Sequence, residues 1–244
     1  MSRMFSSCRN LTSIDLSGFD SSNVISMNSL FFVCGNLTSI NLSNFNTSKV
    51  KDMQYMFSSC YSLTSLDLSS FDTSEVENMN AMFDACSSLA TLDLFNFDTS
   101  KVTDMGFMFC SCTSLTTLDL SNFDTSKVKN MAFMFDNCSN LTSLDLSSFD
   151  TSKVTAIGYM FYSCSNLTSL DLSSFDTSKL TEMNCMFKDC PNLTTIKGVI
   201  DMKSCTKYND MFNNCSKLSG VKIKNPPSGF DGAGLSSSQY TIVS

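Results

Sequence analysis

The chain has 244 residues, a formal net charge of −7 and a sequence pI near 4.5. It contains no histidine, which excludes catalytic triads and metal sites built on imidazole, and its acidity argues against binding to nucleic-acid phosphates. Apolar residues make up 42% of the sequence and charged residues 16%, so a folded core is expected rather than disorder. No apolar run reaches 18 residues and the first eight residues are too polar for a signal peptide, so neither a membrane-spanning helix nor a signal peptide is expected.

A 26-residue repeat organises the chain. Nine cysteines mark it at intervals of 26 residues, the last interval being 25. They are Cys8, Cys34, Cys60, Cys86, Cys112, Cys138, Cys164, Cys190 and Cys215. A fixed period of this size is typical of solenoids, in which each unit buries its apolar side only against its neighbours. We interpret residues 1–197 as tandem repeats and residues 198–244 as a degenerate last repeat with a C-terminal cap, the alternative for the last part being a linker.

Each repeat contains two apolar periodicities. In the copy that begins at Cys60, Leu66 and Leu68 alternate with polar residues, which predicts a short strand with one buried face. A turn-forming stretch, Ser-x-Phe-Asp-Thr-Ser, follows. The next apolar residues lie three or four positions apart, or adjacent: Val76, Met79, Met82 and Phe83. This spacing predicts a helix of about two to three turns.

The predicted fold is therefore an α/β solenoid. It is an open array with a parallel sheet of short strands on one side and short helices on the other, and its Cys-x-x-Leu-x-x-Leu-x-Leu core resembles the leucine-rich-repeat consensus. About nine rungs at a strand spacing of about 4.8 Å would give an array of roughly 45 Å.

The longer string Met-Phe-x-x-Cys-x-x-Leu-Thr-Ser-Leu-Asp-Leu-Ser-x-Phe-Asp-Thr-Ser-Lys-Val resembles the repeat of the BspA-like leucine-rich-repeat surface proteins. The resemblance covers residues 1 to about 197 and recurs in seven nearly unaltered copies. It implies an extracellular, surface-exposed protein that acts in adhesion or partner binding. The implied partner is a protein or glycan at a cell surface.

The cysteines of the repeat share the phase of the apolar positions, so we expect them to be buried free thiols. Cys110, Cys185 and Cys205 lie outside this phase. Cys110 and Cys112 form a Cys-x-Cys pair, a weak metal signal with no second pair nearby, so no metal or cofactor is expected.

An acidic residue seven positions after the cysteine is the main candidate for a functional surface. It recurs as Asp15, Asp67, Asp93, Asp119, Asp145 and Asp171, with Asn41 in one rung. It lies between two inward leucines and therefore faces outward. Paired catalytic carboxylates need different environments, whereas a repeat gives each the same one, so an enzyme is not expected. A solvated acidic face, a cation site and a site for a basic partner stay open.

Phe95 occupies an outward strand position where other copies have serine. An exposed aromatic residue can anchor a partner, although incidental exposure is the alternative. With the neighbouring carboxylates it defines the hypothetical partner-binding site: Asp67, Asp93, Phe95, Asp119, Asp145 and Asp171. Basic C-terminal rungs, containing Lys197 and Lys222, also allow head-to-tail self-association through these carboxylates.

Two further columns follow from the repeat. One aspartate column, which includes Asp72 and Asp98, precedes Thr-Ser and predicts capping or Asx-turn geometry. The other is mostly aromatic, with Tyr55, Phe107 and Tyr159 among its members, and is either an exposed interface or buried.

The function predicted from these patterns is a non-enzymatic interaction or adhesion module that binds a partner through the outward face of its sheet. The alternative is a structural spacer that sets distance without binding.

Overall fold

In a computed structural model, which describes residues 1–244, the chain forms a parallel β-solenoid in which each repeat makes one rung. The strands are β1 (Ser13–Asp15), β2 (Ser39–Asn41), β3 (Ser169–Asp171), β4 (Thr195–Lys197), β5 (Val199–Asp201), β6 (Val221–Lys224) and β7 (Tyr240–Val243). They pair in parallel as β1–β2, β3–β4 and β5–β6–β7, and residues 26 apart face each other in the first two pairs. A solenoid built from this repeat is therefore confirmed.

The strand positions, residues 64–69 and their equivalents at intervals of 26, are called the strand face here; the side chains of residues 65, 67 and 69 are exposed, whereas Leu68 is buried. Between β2 and β3 these positions make few backbone bonds between rungs. The N–H of Thr116 donates to the carbonyl of Ala90 at 3.3 Å, and that of Thr168 to Thr142 at 3.2 Å. Regular β-strands are therefore present only towards the two ends of the array, in β1 and β2 and again from β3 onward.

The prediction of short helices was wrong, because the structure contains no helix. The segment in question, residues 79–85 and their equivalents at intervals of 26, is called the turn face. In the copy at 131–137, alternate N–H groups donate to carbonyls of the next rung at 2.7–3.0 Å, beginning with Met131 to Ala156 and Phe133 to Gly158. Phe133 and Asn137 have φ angles of 60° and 55°, which an α-helix does not allow.

The physical reason is the number of backbone groups left to satisfy. A helix of two to three turns leaves four N–H and four C=O groups without partners, which is most of its backbone. In the turn face, the intervening N–H groups of Met134 and Asp136 bond three residues back, and the N–H of Ala132 bonds the side chain of Asn130. Every N–H from 131 to 138 therefore has a partner. A chain of turns also produces apolar spacings of three and four.

The core is one continuous cluster between the two faces. Its most regular part is a column of phenylalanines, each buried and nearly parallel to the next at a centroid distance of 5.6–5.9 Å. These are Phe31, Phe57, Phe83, Phe109, Phe135, Phe161, Phe187 and Phe212. Burial of one such side chain stabilises by about 1.5–3 kcal/mol, so the column is a major source of cohesion.

Burial of the repeat cysteines is confirmed for eight of the nine, whereas Cys8 in the first rung is exposed. Each buried thiol donates to the carbonyl of a phenylalanine in the preceding rung, as Cys138 does to Phe109 at 3.0 Å. Burial raises the pKa of Cys60 and Cys164 to about 12. A small apolar group with one weak donor is therefore what this position requires.

The C-terminal strands change register at Gly198, the single residue between β4 and β5. Its φ of 98° lies in a region that favours glycine, and a Cβ there would lie 2.9 Å from the backbone carbonyl of Leu172. From this point β5, β6 and β7 form the last sheet. The interpretation of residues 198–244 as a cap stays a prediction. None of the chain forms a helix able to cross a membrane.

Candidate partner-binding face

The predicted acidic residues all lie exposed on the strand face, and each also supports its own backbone. In every case Oδ1 accepts the N–H of the residue two positions later, at 2.9–3.0 Å. Asp67 bonds Ser69 in this way and Asp93 bonds Phe95. The sequence analysis did not predict these Asx turns. The signal was present, because Asp-Leu-Ser has the same Asp-to-Ser spacing as the Asp-Thr-Ser stretch for which an Asx turn was predicted.

The Asx turns keep the carboxylates charged. The hydroxyl and the backbone N–H of Ser69 lower the pKa of Asp67, and the N–H and hydroxyl of Ser121 do the same for Asp119. Ser147 likewise lowers the pKa of Asp145, against the repulsion of neighbouring carboxylates. The strand face therefore carries a column of ionised groups at neutral pH.

The column is not uniform along the array. The carboxylate of Asp171 lies 3.6 Å from the ammonium group of Lys197 on β4, and both side chains are more than half exposed. The charge of Asp171 is thus compensated within the chain. The part of the predicted site without an ion-pair partner consists of Asp67, Asp93, Asp119 and Asp145.

Phe95 is 86% exposed, the largest exposed fraction among the large apolar side chains. It borders a depression of about 170 Å³ whose other walls include Asp67, Asp93 and the partly exposed Leu66. The equivalent of Leu66 in later rungs, such as Leu118, is only 9% exposed. The structure therefore brings the aromatic residue, an accessible leucine and two of the predicted carboxylates together.

The loop that carries Phe95 is fixed to the preceding rung. The side-chain amide of Asn96 donates to the carbonyl oxygens of Leu68 at 3.1 Å and Phe71 at 2.6 Å. With the bond between Asp93 and the Phe95 N–H, both flanks of the aromatic residue are held. Its exposure is therefore a property of an ordered surface.

The second aspartate column forms the predicted Asx turns: Asp72 accepts the N–H of Ser74 and Asp98 that of Ser100. The threonine that follows is buried and bridges two rungs. The hydroxyl of Thr125 donates to the carbonyl of Asp150 at 2.9 Å and accepts its N–H at 2.8 Å. This threonine column was missed, because its partners lie 25 residues away.

The aromatic column of the turn face is half-buried, between the two alternatives left open by the sequence. Phe107, Phe133 and Tyr159 stack face to face with centroid distances of 4.4 and 4.5 Å. The stacked faces cover each other, which accounts for the partial burial of these rings. This part of the column is therefore a closed stack.

A further cluster on the turn face was also missed. The thiol of Cys110 lies 3.7 Å from a carboxylate oxygen of Asp136, and Asp84 accepts the hydroxyl of Ser58 at 2.9 Å. Burial raises the pKa of Asp136 to about 6, and its other oxygen is buried without a hydrogen-bond partner. The cluster does not have the arrangement of a metal site.

Comparison with known proteins identifies the family to which the sequence is similar. The family described as "Mycoplasma protein of unknown function, DUF285" matches residues 1–118 and 111–225. No curated protein matches significantly. A leucine-rich-repeat protein from Bacteroides ovatus ATCC 8483 aligns at 18% identity over 100% of this chain and 87% of that chain, with a TM-score of 0.37.

The functional domain of InlJ from Listeria monocytogenes, which includes a cysteine ladder, aligns at 16% identity over 88% of this chain and 60% of that chain, with a TM-score of 0.16. The family match covers most of the sequence and confirms the resemblance to BspA-like leucine-rich-repeat proteins. The chain belongs to the DUF285 family.

Proposed function

We propose that the chain is a non-enzymatic module of the cell surface that mediates adhesion or interaction by binding a basic protein or glycan through its strand face. The observation that carries this proposal is Phe95, an 86% exposed aromatic residue on an ordered loop beside a leucine-lined depression. Exposed aromatic side chains next to a pocket are the typical anchors of interfaces. The extracellular location rests on the family resemblance.

The carboxylates around Phe95 indicate that the proposed partner is positively charged where it contacts this face. Asp67 and Asp93 line the same depression, and Asp119 and Asp145 continue the column along the array. Such a column attracts cationic groups over about 8–10 Å at physiological ionic strength. Lysine or arginine side chains, or amino groups of a glycan, fit this surface. Head-to-tail contact with the basic C-terminal rungs of a second copy is one form of the same interaction.

The test starts from Phe95→Ser, which restores the residue found in the other rungs and keeps the Asx turn of Asp93. Parent and variant are compared on arrays of surface proteins and glycans, and positive hits are measured by titration at two salt concentrations. We expect loss of about tenfold or more in affinity for Phe95→Ser, and weaker binding at high salt. Ser121→Ala, on an equivalent position two residues after Asp119, is the matched control and should bind as the parent does.

Carboxylates are tested separately with the triple variant Asp67→Asn, Asp93→Asn and Asp119→Asn. Asparagine already occupies this position as Asn41, where it makes the same turn to Ser43, so the fold is preserved. We expect weaker binding and a smaller salt dependence. Binding that is unaffected by both this variant and Phe95→Ser would contradict the proposal.

A structural spacer is the second candidate, favoured by the near-identity of the rungs and by the complete bonding of the turn face. Deletion of one whole rung, residues 112–137, separates the two functions. A spacer should lose function in proportion to its shortening, whereas a binding module that keeps Phe95 and its neighbours should retain its affinity.

A further inference from the structure

The two arginines of the chain, Arg3 and Arg9, both lie in the first rung, at and just beyond the turn face. All five ion pairs of the structure involve lysines, so neither guanidinium has an acidic partner. Both side chains are exposed. In a protein of net charge −7, these two guanidinium groups are cationic groups that an anion can bind without displacing an internal partner.

A depression of about 270 Å³ lies beside Arg3, lined also by Ser6, Ser7, Ser29, Phe32 and Tyr55. The rings of Phe32 and Tyr55 form an edge-to-face pair at 5.8 Å. Ser29 stands at the position that is aromatic in Tyr55, so the aromatic column stops there. The small side chain leaves space between Arg3 and the two rings.

A second, wider depression of about 530 Å³ lies beside Arg9, with Val33, Gly35, Asn36, Tyr61 and Ser62 as its other walls. Tyr61 is 47% exposed, and its ring packs against Gly35, where a Cβ would lie only 2.9 Å from a ring carbon. Gly35 therefore makes the position of the Tyr61 ring possible. The result is an accessible aromatic surface near a guanidinium group.

Both depressions belong to the same three rungs. Their walls come from the stretches 3–9, 29–36 and 55–62, none of which contains an aspartate or a glutamate. Three of the corresponding stretches further along contain an aspartate, namely Asp84, Asp136 and Asp189, whereas 107–114 and 159–166 also contain none but have no arginine. We call this surface the arginine–aromatic patch and define it by Arg3, Arg9, Phe32, Tyr55 and Tyr61, with the serines and Asn36 around them.

The side chains of the patch restrict the chemical class of ligand that it can bind. Guanidinium groups bind carboxylates with two parallel hydrogen bonds. Hydroxyl and amide side chains at Ser6, Ser62 and Asn36 offer both donors and acceptors, and an exposed tyrosine ring offers an apolar surface. A sugar ring that bears hydroxyl groups, C–H groups and a carboxylate uses all three.

An acidic peptide would use the arginines but lacks a backbone site here. The N–H groups of Ser29, Phe31 and Val33 already donate to the next rung at 2.8–2.9 Å, so these groups are not available to a peptide backbone. We propose that the arginine–aromatic patch binds a carbohydrate that carries carboxylate groups. The patch lies on the turn face and just beyond it, and it shares no residue with the site around Phe95, so the proposal is independent of the proposed function.

Two matched pairs of probes test this. Sialyllactose is compared with lactose, and an oligomer of galacturonic acid with its neutral methyl ester, each titrated by NMR against the whole chain. We expect at least one acidic sugar to bind. The affinity of its neutral counterpart should be lower by about tenfold or more. Polyglutamate serves as the anionic probe without sugar rings and should bind more weakly than the acidic sugar.

Variants locate the binding. Arg3→Gln with Arg9→Gln should reduce affinity about tenfold or more, and Tyr61→Ala several-fold, whereas Phe95→Ser should have no effect. Far-UV circular dichroism and the urea midpoint check that each variant is folded. The proposal is overturned if neither acidic sugar binds, if the arginine variant binds as the parent does, or if polyglutamate binds as tightly as the sugar.

Discussion

The turn face and the strand face belong to the same rungs but are held together differently. On the turn face, every N–H from 131 to 138 is bonded, and half of these bonds cross to the next rung. On the strand face of the same repeat, Leu118 and Asp119 donate no backbone hydrogen bond. Cohesion of the array therefore comes mainly from the turn face, which leaves the strand face free to carry other residues.

Aromatic spacings agree with this difference. Stacked rings of Phe107, Phe133 and Tyr159 on the turn face are 4.4–4.5 Å apart. Phe149 and Phe175, which follow the strand positions, are also parallel but 6.4 Å apart. The outer rings of the turn face are thus packed more closely than the rings beside the strand positions. Substitutions on the two faces should have unequal effects.

The largest difference is expected between Phe135→Ala and Phe95→Ser. Phe135 is fully buried between two stacked neighbours, and its truncation should cost about 3–5 kcal/mol. Phe95 is 86% exposed, so its replacement should change the free energy of unfolding by less than about 0.5 kcal/mol. Urea unfolding of both variants measures this. Similar losses at both positions would contradict the comparison.

Thr125→Val should have the next largest effect. The valine has nearly the same shape but leaves both the N–H and the carbonyl of Asp150 without their partner, a loss of about 1–3 kcal/mol. Thr117→Val, at an exposed position on the strand face, is the matched control and should be within about 0.5 kcal/mol of the parent. A neutral Thr125→Val would mean that the bridge does not stabilise the array.

Asp136→Asn should stabilise the protein at pH 7. Burial raises the pKa of Asp136 to about 6, so the ionised form destabilises the folded state above that pH, and this cost disappears as the pH falls below about 4. After allowance for its partial exposure, we expect a gain of about 1 kcal/mol at pH 7 and none at pH 4. Urea unfolding at both pH values checks the sign.

Carboxylates of the strand face should show the opposite pH dependence. The pKa values of Asp67, Asp119 and Asp145 are lowered by hydrogen bonds of their Asx turns. Their contribution to stability is present above the ordinary pKa of about 4 and is lost as the pH falls through their lowered values. The urea midpoint should therefore fall between pH 4 and pH 2, less so in a variant with all three changed to asparagine. An equal fall in that variant would refute this assignment.

Much of the fold could be predicted because the 26-residue repeat shows which positions of each rung are apolar. Leu118, Met131 and Phe135 are core residues at the phases that the repeat indicates, and Cys138 is buried with them. The helix prediction failed because a helix and a chain of turns share the spacing of three and four. What separates them is a positive φ at non-glycine residues such as Phe133, which composition does not reveal.

The sites were predictable only in part. The outward position of Asp93 and Phe95 follows from strand alternation, but the depression beside them depends on the exposure of Leu66 in the preceding rung. The arginine–aromatic patch depends on contacts across three rungs and on small residues, Ser29 and Gly35, that leave space for larger neighbours. The sequence of a single repeat does not show which residues of neighbouring rungs lie together.

Amide hydrogen exchange measured residue by residue by NMR tests the central claim most directly. If the turn face holds the rungs together, the amides of Met131, Phe133, Phe135 and Asn137 will exchange slowly, at rates set by global unfolding. The amides of Leu118 and Asp119, in the same repeat, will exchange much faster. Slow exchange on the strand face combined with fast exchange at 131–137 would contradict the account.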